Sequence, residues 1–244
     1  MPMRIPVLLA LVLLLPAPGR AAIDSMAACM ARIAEDPQAA REEAARWLVL
    51  GGGAEARACE ARALEALGAR GSAAVILAEL AADRGNGLPK ATRAAMLRDA
   101  GRLWLAEEQF ALSVEALTRA IALGLDDPDT RVMRAEAHGR LGQWQEAIAD
   151  LNAALAVAPD RPDLLSLRAA ARRRSGDAAG ALADAEAALA VLPTYPEALF
   201  EKGAALAVAG RTRAALEVWF ELIRLHPDSE MAELARRNLQ QLAG

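Results

Sequence analysis

Residues 128–161, PDTRVMRAEAHGRLGQWQEAIADLNAALAVAPDR, run without a gap into 162–195, PDLLSLRAAARRRSGDAAGALADAEAALAVLPTY, and 196–229, PEALFEKGAALAVAGRTRAALEVWFELIRLHPDS. Each segment has 34 residues, and the three align column by column. Pro128, Pro162 and Pro196 form one column, Gly142, Gly176 and Gly210 a second, Ala147, Ala181 and Ala215 a third, and Pro159, Pro193 and Pro227 a fourth. Gly101, Ala135, Ala169 and Gly203 keep the same interval and extend the register upstream. Five columns in one register identify a repeat, and a repeat of this length decides the architecture before any single element is placed.

Within each unit the order is helix, turn, helix, turn. The leading Pro falls in a first helical turn, where its missing N–H costs nothing. The Gly ends that helix and accepts the left-handed backbone of a helix C-terminus. A second amphipathic stretch follows, such as Trp144 to Ala158, with Ala147, Leu151, Ala154 and Leu155 on one face. Working outward, Ala94 to Asp127 is a weaker unit, with Ser113 in the Ala column and Leu125 in the Pro column. Ala54 to Asn86 fits a further unit once an insertion at Gly87 to Arg93 is allowed, and Ile23 to Gly53 is a degenerate first unit ending in Gly51-Gly52-Gly53. Glu230 to Leu242 is a single amphipathic helix suited to closing the open end of a stack.

The columns Ala135, Ala147, Leu151, Ala154 and Pro159, with their counterparts in the next two units, resemble the tetratricopeptide repeat. The resemblance implies an all-α, right-handed superhelix of about six helix-turn-helix units plus a C-terminal capping helix. The expected organisation is a signal peptide at 1–22, divergent units at 23–93, four units at 94–229 and the cap at 230–244. It also implies a concave inner face that binds peptides or partner proteins. Carrying the family's inward-facing columns onto this chain gives Arg62, Arg98, Arg102, Arg140, Arg173, Arg174 and Phe200 as groove residues. Guanidinium forks recognise carboxylates and stack on aromatics, so this set points to an acidic or C-terminal peptide. The competing explanation is that Arg is simply the commonest polar residue available. Val132, Glu136, Ser166 and Ala170 stand where chaperone-tail-binding members carry Lys and Asn, a departure that argues against that ligand.

In such arrays equivalent helices of successive units lie side by side, which brings Cys29 and Cys59 within reach of each other. An oxidising compartment would let them bridge; the other possibility is two separately buried thiols.

Composition supports the helical assignment. Apolar residues make up 55% of 244 and aromatics 3%, so Ala and Leu must build the core, and both are strong helix formers. The formal net charge of −4 and the absence of a basic cluster argue against nucleic-acid binding. Arg4, the apolar run Ile5 to Leu15, the break at Pro16 and the small residues Gly19, Ala21 and Ala22 form an export signal too short to span a membrane. The alternatives are an uncleaved anchor or acylation at Cys29. No other stretch is long and apolar enough to span, so no membrane segment is expected once the signal is removed.

Catalytic chemistry has little material. The two histidines, His138 and His226, do not pair at metal-ligand spacing. No nucleophile elbow or phosphate loop occurs. Adjacent acids such as Glu42 and Glu43 do not share a helix face. The expectation is a periplasmic, non-enzymatic protein-binding scaffold without cofactor or metal, whose partner is a protein or peptide of unknown identity. The alternative is a non-catalytic accessory subunit steering an envelope hydrolase or transferase. Arg134 with Asp150 and Arg168 with Asp184 recur at one offset and predict a structural ion pair within each unit.

Overall fold

The computed structural model describes residues 22–243; residues 1–21 of the expected leader lie outside them. Thirteen α-helices occur among the described residues. They are α1 (Met26–Glu35), α2 (Pro37–Trp47), α3 (Gly53–Ala66), α4 (Arg70–Ala82), α5 (Lys90–Ala106), α6 (Phe110–Ala122), α7 (Pro128–Arg140), α8 (Trp144–Val157), α9 (Pro162–Arg174), α10 (Ala178–Val191), α11 (Pro196–Val208), α12 (Thr212–Leu225) and α13 (Glu230–Ala243). A π-helical kink, Leu48–Gly52, joins α2 to α3. Consecutive helices pack as six pairs, α1/α2 to α11/α12, and α13 closes the stack against α11 and α12.

Size complementarity sets how closely the helices of a pair approach. The small column of the first helix, Gly101, Ala135, Ala169 and Gly203, lies one half-repeat before Leu117, Leu151, Ala185 and Trp219 on the second. A Cβ added at Gly101 would sit 2.6 Å from Cγ of Leu117, and one at Gly203 would strike the Trp219 indole. The column therefore holds Gly opposite Leu117 and Trp219 and Ala opposite Leu151 and Ala185, always a small residue on the first helix. Trp219 is buried at the C-terminal end, donating its indole N–H to the Phe200 carbonyl at 3.2 Å.

The predicted pairs Arg134–Asp150 and Arg168–Asp184 are formed, and they are not surface pairs. Each is bidentate, with contacts of 2.6–2.7 Å and 2.6–2.9 Å, and the aspartate side chains are only 4% and 5% exposed. Each guanidinium also reaches the preceding unit, Arg134 donating to Thr118 and Arg168 to Asn152. Lys202 continues the column by pairing with Glu186 of the preceding unit. The column thus stitches unit to unit as well as helix to helix. Asp150 also pairs with Arg131 and Asp184 with Arg172, so each carboxylate keeps a partner when one arginine is lost, at a cost below the ~3–5 kcal/mol of a buried charge left alone.

The insertion before the third unit only partly forms the expected loop. Gly85 to Gly87 is a turn held by Asn86, whose amide donates to the Leu80 carbonyl. Lys90 to Arg93, however, adds a first turn to α5, and Arg93 donates to the Ala81 carbonyl at the end of α4.

At the N-terminal end, Cys29 of α1 and Cys59 of α3 form a disulfide with a Cα–Cα distance of 5.9 Å, and both residues are fully buried. It spans 30 residues of sequence, worth roughly 3 kcal/mol or slightly more in the chain-entropy treatment. Among the described residues the first unit packs against a neighbour on one side, and the bridge pins it to the second.

The turn after each first helix repeats one geometry. Gly142, Gly176 and Gly210 all have positive φ, and the residue after each donates its N–H to the carbonyl five residues earlier, as Gln143 does to His138. In the third unit the same position is Glu108, at φ 57°, with Gln109 donating to Trp104. A side chain in the left-handed region costs roughly 1 kcal/mol or more. Glu108→Gly should therefore raise stability by about 1 kcal/mol, and Gly142→Ala should lower it by a similar amount. Urea unfolding followed by circular dichroism measures both; a destabilised Glu108→Gly would contradict the turn assignment.

Candidate binding groove

The first helices α7, α9 and α11, together with α8 and the cap α13, line an open cavity of about 480 Å³. Leu167, Ala170, Ala171, Trp144, Met231 and Leu234 give it an apolar lining, and Arg140, Arg173, Arg174 and Phe200 stand on its walls. Four of the seven residues expected in the groove therefore meet at one place.

Arg140 and Arg174, exposed at the C-terminal ends of α7 and α9, have no carboxylate partner among the described residues. Each guanidinium instead lies over an aromatic ring of the preceding unit. Arg140 is 5.3 Å from the Phe110 centroid, and Arg174 is 5.9 Å from that of Trp144. Phe110 and Trp144 share a column, as do Arg140 and Arg174, so the same cation–π contact is built twice. It restrains each guanidinium without consuming its N–H donors, at an exposed-site strength of about 0.5–1 kcal/mol.

Arg173 has a different fate. It donates to both oxygens of Glu201 on α11, at 2.7 and 3.0 Å, and the Glu201 side chain is 9% exposed. Its charge is neutralised, and its role is to tie α9 to α11. Phe200 is largely buried and packs on Trp219 with ring centroids 6.4 Å apart, so it forms the floor of the cavity.

Arg62, Arg98 and Arg102 are not brought to the cavity. Arg62 binds Asp99 and, at 3.1 Å, Glu65; Arg102 contacts Glu65 at 2.5 Å; Arg98 lies 4.0 Å from Asp99. Burial alone would raise the Glu65 carboxyl, but the hydrogen bonds and charges of Arg102 and then Arg62 outweigh it and hold it below the usual range. The wall of free arginines at the cavity is thus narrower, because Arg62, Arg102 and Arg173 pair with acids on neighbouring first helices and Arg98 lies beside Asp99 of its own helix.

Reading inward-facing columns also missed the cap. α13 contributes Met231, Leu234 and Asn238, so it completes the site as well as closing the stack. The available signal was its amphipathic pattern, which occupies the place of a seventh first helix. His138 contacts Gln143 at 2.7 Å across its turn, and His226 contacts the Thr194 carbonyl at 2.6 Å. Neither approaches a second histidine or a cysteine, and among the described residues no group of three or more His, Cys, Asp or Glu could hold a metal ion. No helix among them is long and apolar enough to cross a membrane.

No family model and no curated protein matches the chain. Solved structures do. One is YrrB, described as a tetratricopeptide-repeat protein with an unusual peptide-binding site, with a TM-score of 0.61 at 18% identity over 87% of this chain and 100% of that one. A second is a tetratricopeptide-repeat protein from Parabacteroides merdae, with a TM-score of 0.66 at 18% identity over 76% of this chain and 71% of that one. A third is MamA from Desulfovibrio magneticus, with a TM-score of 0.61 at 15% identity over 70% and 93%. At these identities the likeness is one of fold, the tetratricopeptide-type solenoid.

The two neighbouring arginines of α9 separate structure from recognition. Arg173→Ala leaves Glu201 buried and unpaired, and should cost about 3–5 kcal/mol. Arg174→Ala removes an exposed cation–π contact and should cost at most about 1 kcal/mol. Thermal or urea unfolding of the two variants checks this; equal losses would contradict the division of roles.

Proposed function

We propose that this chain, a tetratricopeptide-repeat protein in its fold, is an exported, non-catalytic scaffold that holds a peptide segment of a partner protein in the C-terminal half of its inner face. The observation that carries the reading is the 480 Å³ apolar cavity bearing two guanidinium groups without carboxylate partners. Pockets that hold side chains or small ligands fall in the range of about 300–1,000 Å³, lined mainly by apolar residues with a few oriented polar groups. Arg140 and Arg174 supply those polar groups, already oriented by Phe110 and Trp144, so little freedom is lost when a carboxylate binds. Pre-ordering of this kind raises affinity by reducing the entropic cost of association.

Export to the periplasm is part of the proposal. It is supported by the order of charge, apolar run, helix break and small residues at 4–22 and by the Cys29–Cys59 bridge, a bond that persists in oxidising compartments. The peptide ligand is supported by the shape and chemistry of the cavity, and YrrB provides a precedent for a peptide site on this fold.

The test is co-purification from intact envelopes with the mature protein as bait, followed by binding measurements on the partner recovered. Replacing Arg140 and Arg174 together with Ala should weaken binding tenfold or more, since arginines at the centre of an interface are typical hot spots. Replacing Arg41 and Arg119, which are not part of the cavity lining, should leave it unchanged. Undiminished binding in the Arg140/Arg174 variant, with helicity preserved, would refute the groove.

A further inference from the structure

Arg161, at the start of α9, shows how this array holds a cation. Its guanidinium donates to Asp163 of its own helix, at 3.2 and 2.5 Å, and to Asp129 at the start of α7, at 2.8 Å. Asp129, Asp163 and Glu197 form a single column, in the first turns of α7, α9 and α11. One repeat beyond Arg161, the equivalent position holds Tyr195. The pair of carboxylates recurs there, as Asp163 and Glu197, while the cation does not.

A cavity of about 300 Å³ lies at this position, lined by Asp163, Ser166, Tyr195 and Glu197 among others. Oε2 of Glu197 and Oγ of Ser166 are both buried without a hydrogen-bond partner, and Ser166 is only 3% exposed. Buried polar atoms are ordinarily satisfied, so unpaired ones call for an explanation. Glu197 has no ion-pair partner among the described residues. The Tyr195 phenol is pushed up, first by burial, then by the charges of Glu197 and Asp163 and by its own hydrogen-bonding contact with the Glu197 carboxylate, whose Oε2 stays without a partner. Favourable interaction with the helix dipole accounts for an acid in each first turn. It does not account for a buried carboxylate oxygen left unpaired where the carboxylate pair recurs without the arginine.

This cavity shares Leu167, Ala170, Glu201 and Met231 with the larger one, so the two are continuous. Along α9, Asp163 and Arg174 are separated by roughly 16 Å at 1.5 Å per residue. That distance matches about five residues of extended peptide.

We propose that the smaller cavity is a cation subsite of the groove: an arginine or lysine side chain of the bound peptide lies between Glu197 and Asp163, beside Tyr195, as Arg161 lies between Asp163 and Asp129 one repeat earlier. The inference rests on the groove being the partner site and adds the partner's chemistry. The peptide crosses the groove with its cation at the N-terminal ends of α9 and α11. Its apolar side chains lie over Leu167 and Met231, and its acidic group lies at Arg140 and Arg174.

The probes are two labelled pentapeptides with blocked ends, Arg-Leu-Ala-Leu-Asp and its reverse, each paired with a version carrying citrulline, the neutral isostere of arginine. Fluorescence anisotropy against the full mature protein should show one arginine peptide binding at least tenfold tighter than its citrulline counterpart. Glu197→Gln, which removes the charge, and Tyr195→Arg, which supplies the cation from within, should abolish that preference and retain the weaker binding of the citrulline form. Tyr195→Arg should also raise the melting temperature, because it pairs a buried carboxylate; a lowered one would overturn the proposal. Equal binding of the arginine and citrulline peptides, binding of neither, a preference that survives both substitutions, or free L-argininamide binding as tightly as the peptide would each overturn it as well. The groove itself is scored separately. Replacing Arg140 and Arg174 with Ala should weaken arginine and citrulline peptides alike; no weakening, with the arginine preference intact, would remove the groove reading and leave the cation subsite standing.

Discussion

The structure depends on close contact between the two helices of each pair, set by a small residue on the first and its counterpart half a repeat later on the second. Gly101 against Leu117 and Gly203 against Trp219 leave no room for even a methyl group. Interiors are packed as densely as organic crystals, so such a contact fixes the helix–helix distance to within a fraction of an ångström. Repeated in register, it fixes where every first helix stands, and the first helices carry the cavity walls.

Polar contacts then lock the register between pairs. The column of Arg134, Arg168 and Lys202 reaches backward to Thr118, Asn152 and Glu186 on the preceding second helix. Arg173 and Glu201 join α9 to α11 at the cavity itself. Each end of the array has its own closure. The buried disulfide pins α1 to α3, and α13 packs its apolar face on α11 and α12. The cap thereby acquires a second role, since Met231 and Leu234 are cavity walls as well as packing residues.

Much of this was legible in the sequence because a repeat tests itself. A Pro, Gly or Ala column that recurs at one interval marks a turn or a close contact without any structure, and the six pairs and cap follow from it. Arg134 with Asp150 was legible for the same reason, as a pair that recurs in the next unit. What column reading could not supply was the environment. It placed Arg62, Arg98 and Arg102 with the groove arginines, because nothing in a single column shows that Glu65 and Asp99 engage them. It gave no weight to Phe110 and Trp144 as platforms for Arg140 and Arg174, although all four share the register. Glu108 escaped notice because a left-handed turn was sought through glycine alone.

Function follows from where the repeat breaks its own rules. The arginines of the inner face are mostly paired; the two that are not lie over aromatic rings and line an apolar cavity. The larger cavity draws on three units and the cap, the smaller on two units and the cap, so both exist only when the stack is in register. The most direct measurement is to excise residues 162–195, one whole repeat, and, separately, the 17 residues 162–178. The account predicts that the full-repeat deletion unfolds in one sharp transition as a shorter helical protein and has lost the cavity's binding, while the half-repeat deletion, which sets a second helix where a first helix belongs, does not fold cooperatively. Equal cooperative unfolding of both, or retention of binding by either, would contradict it.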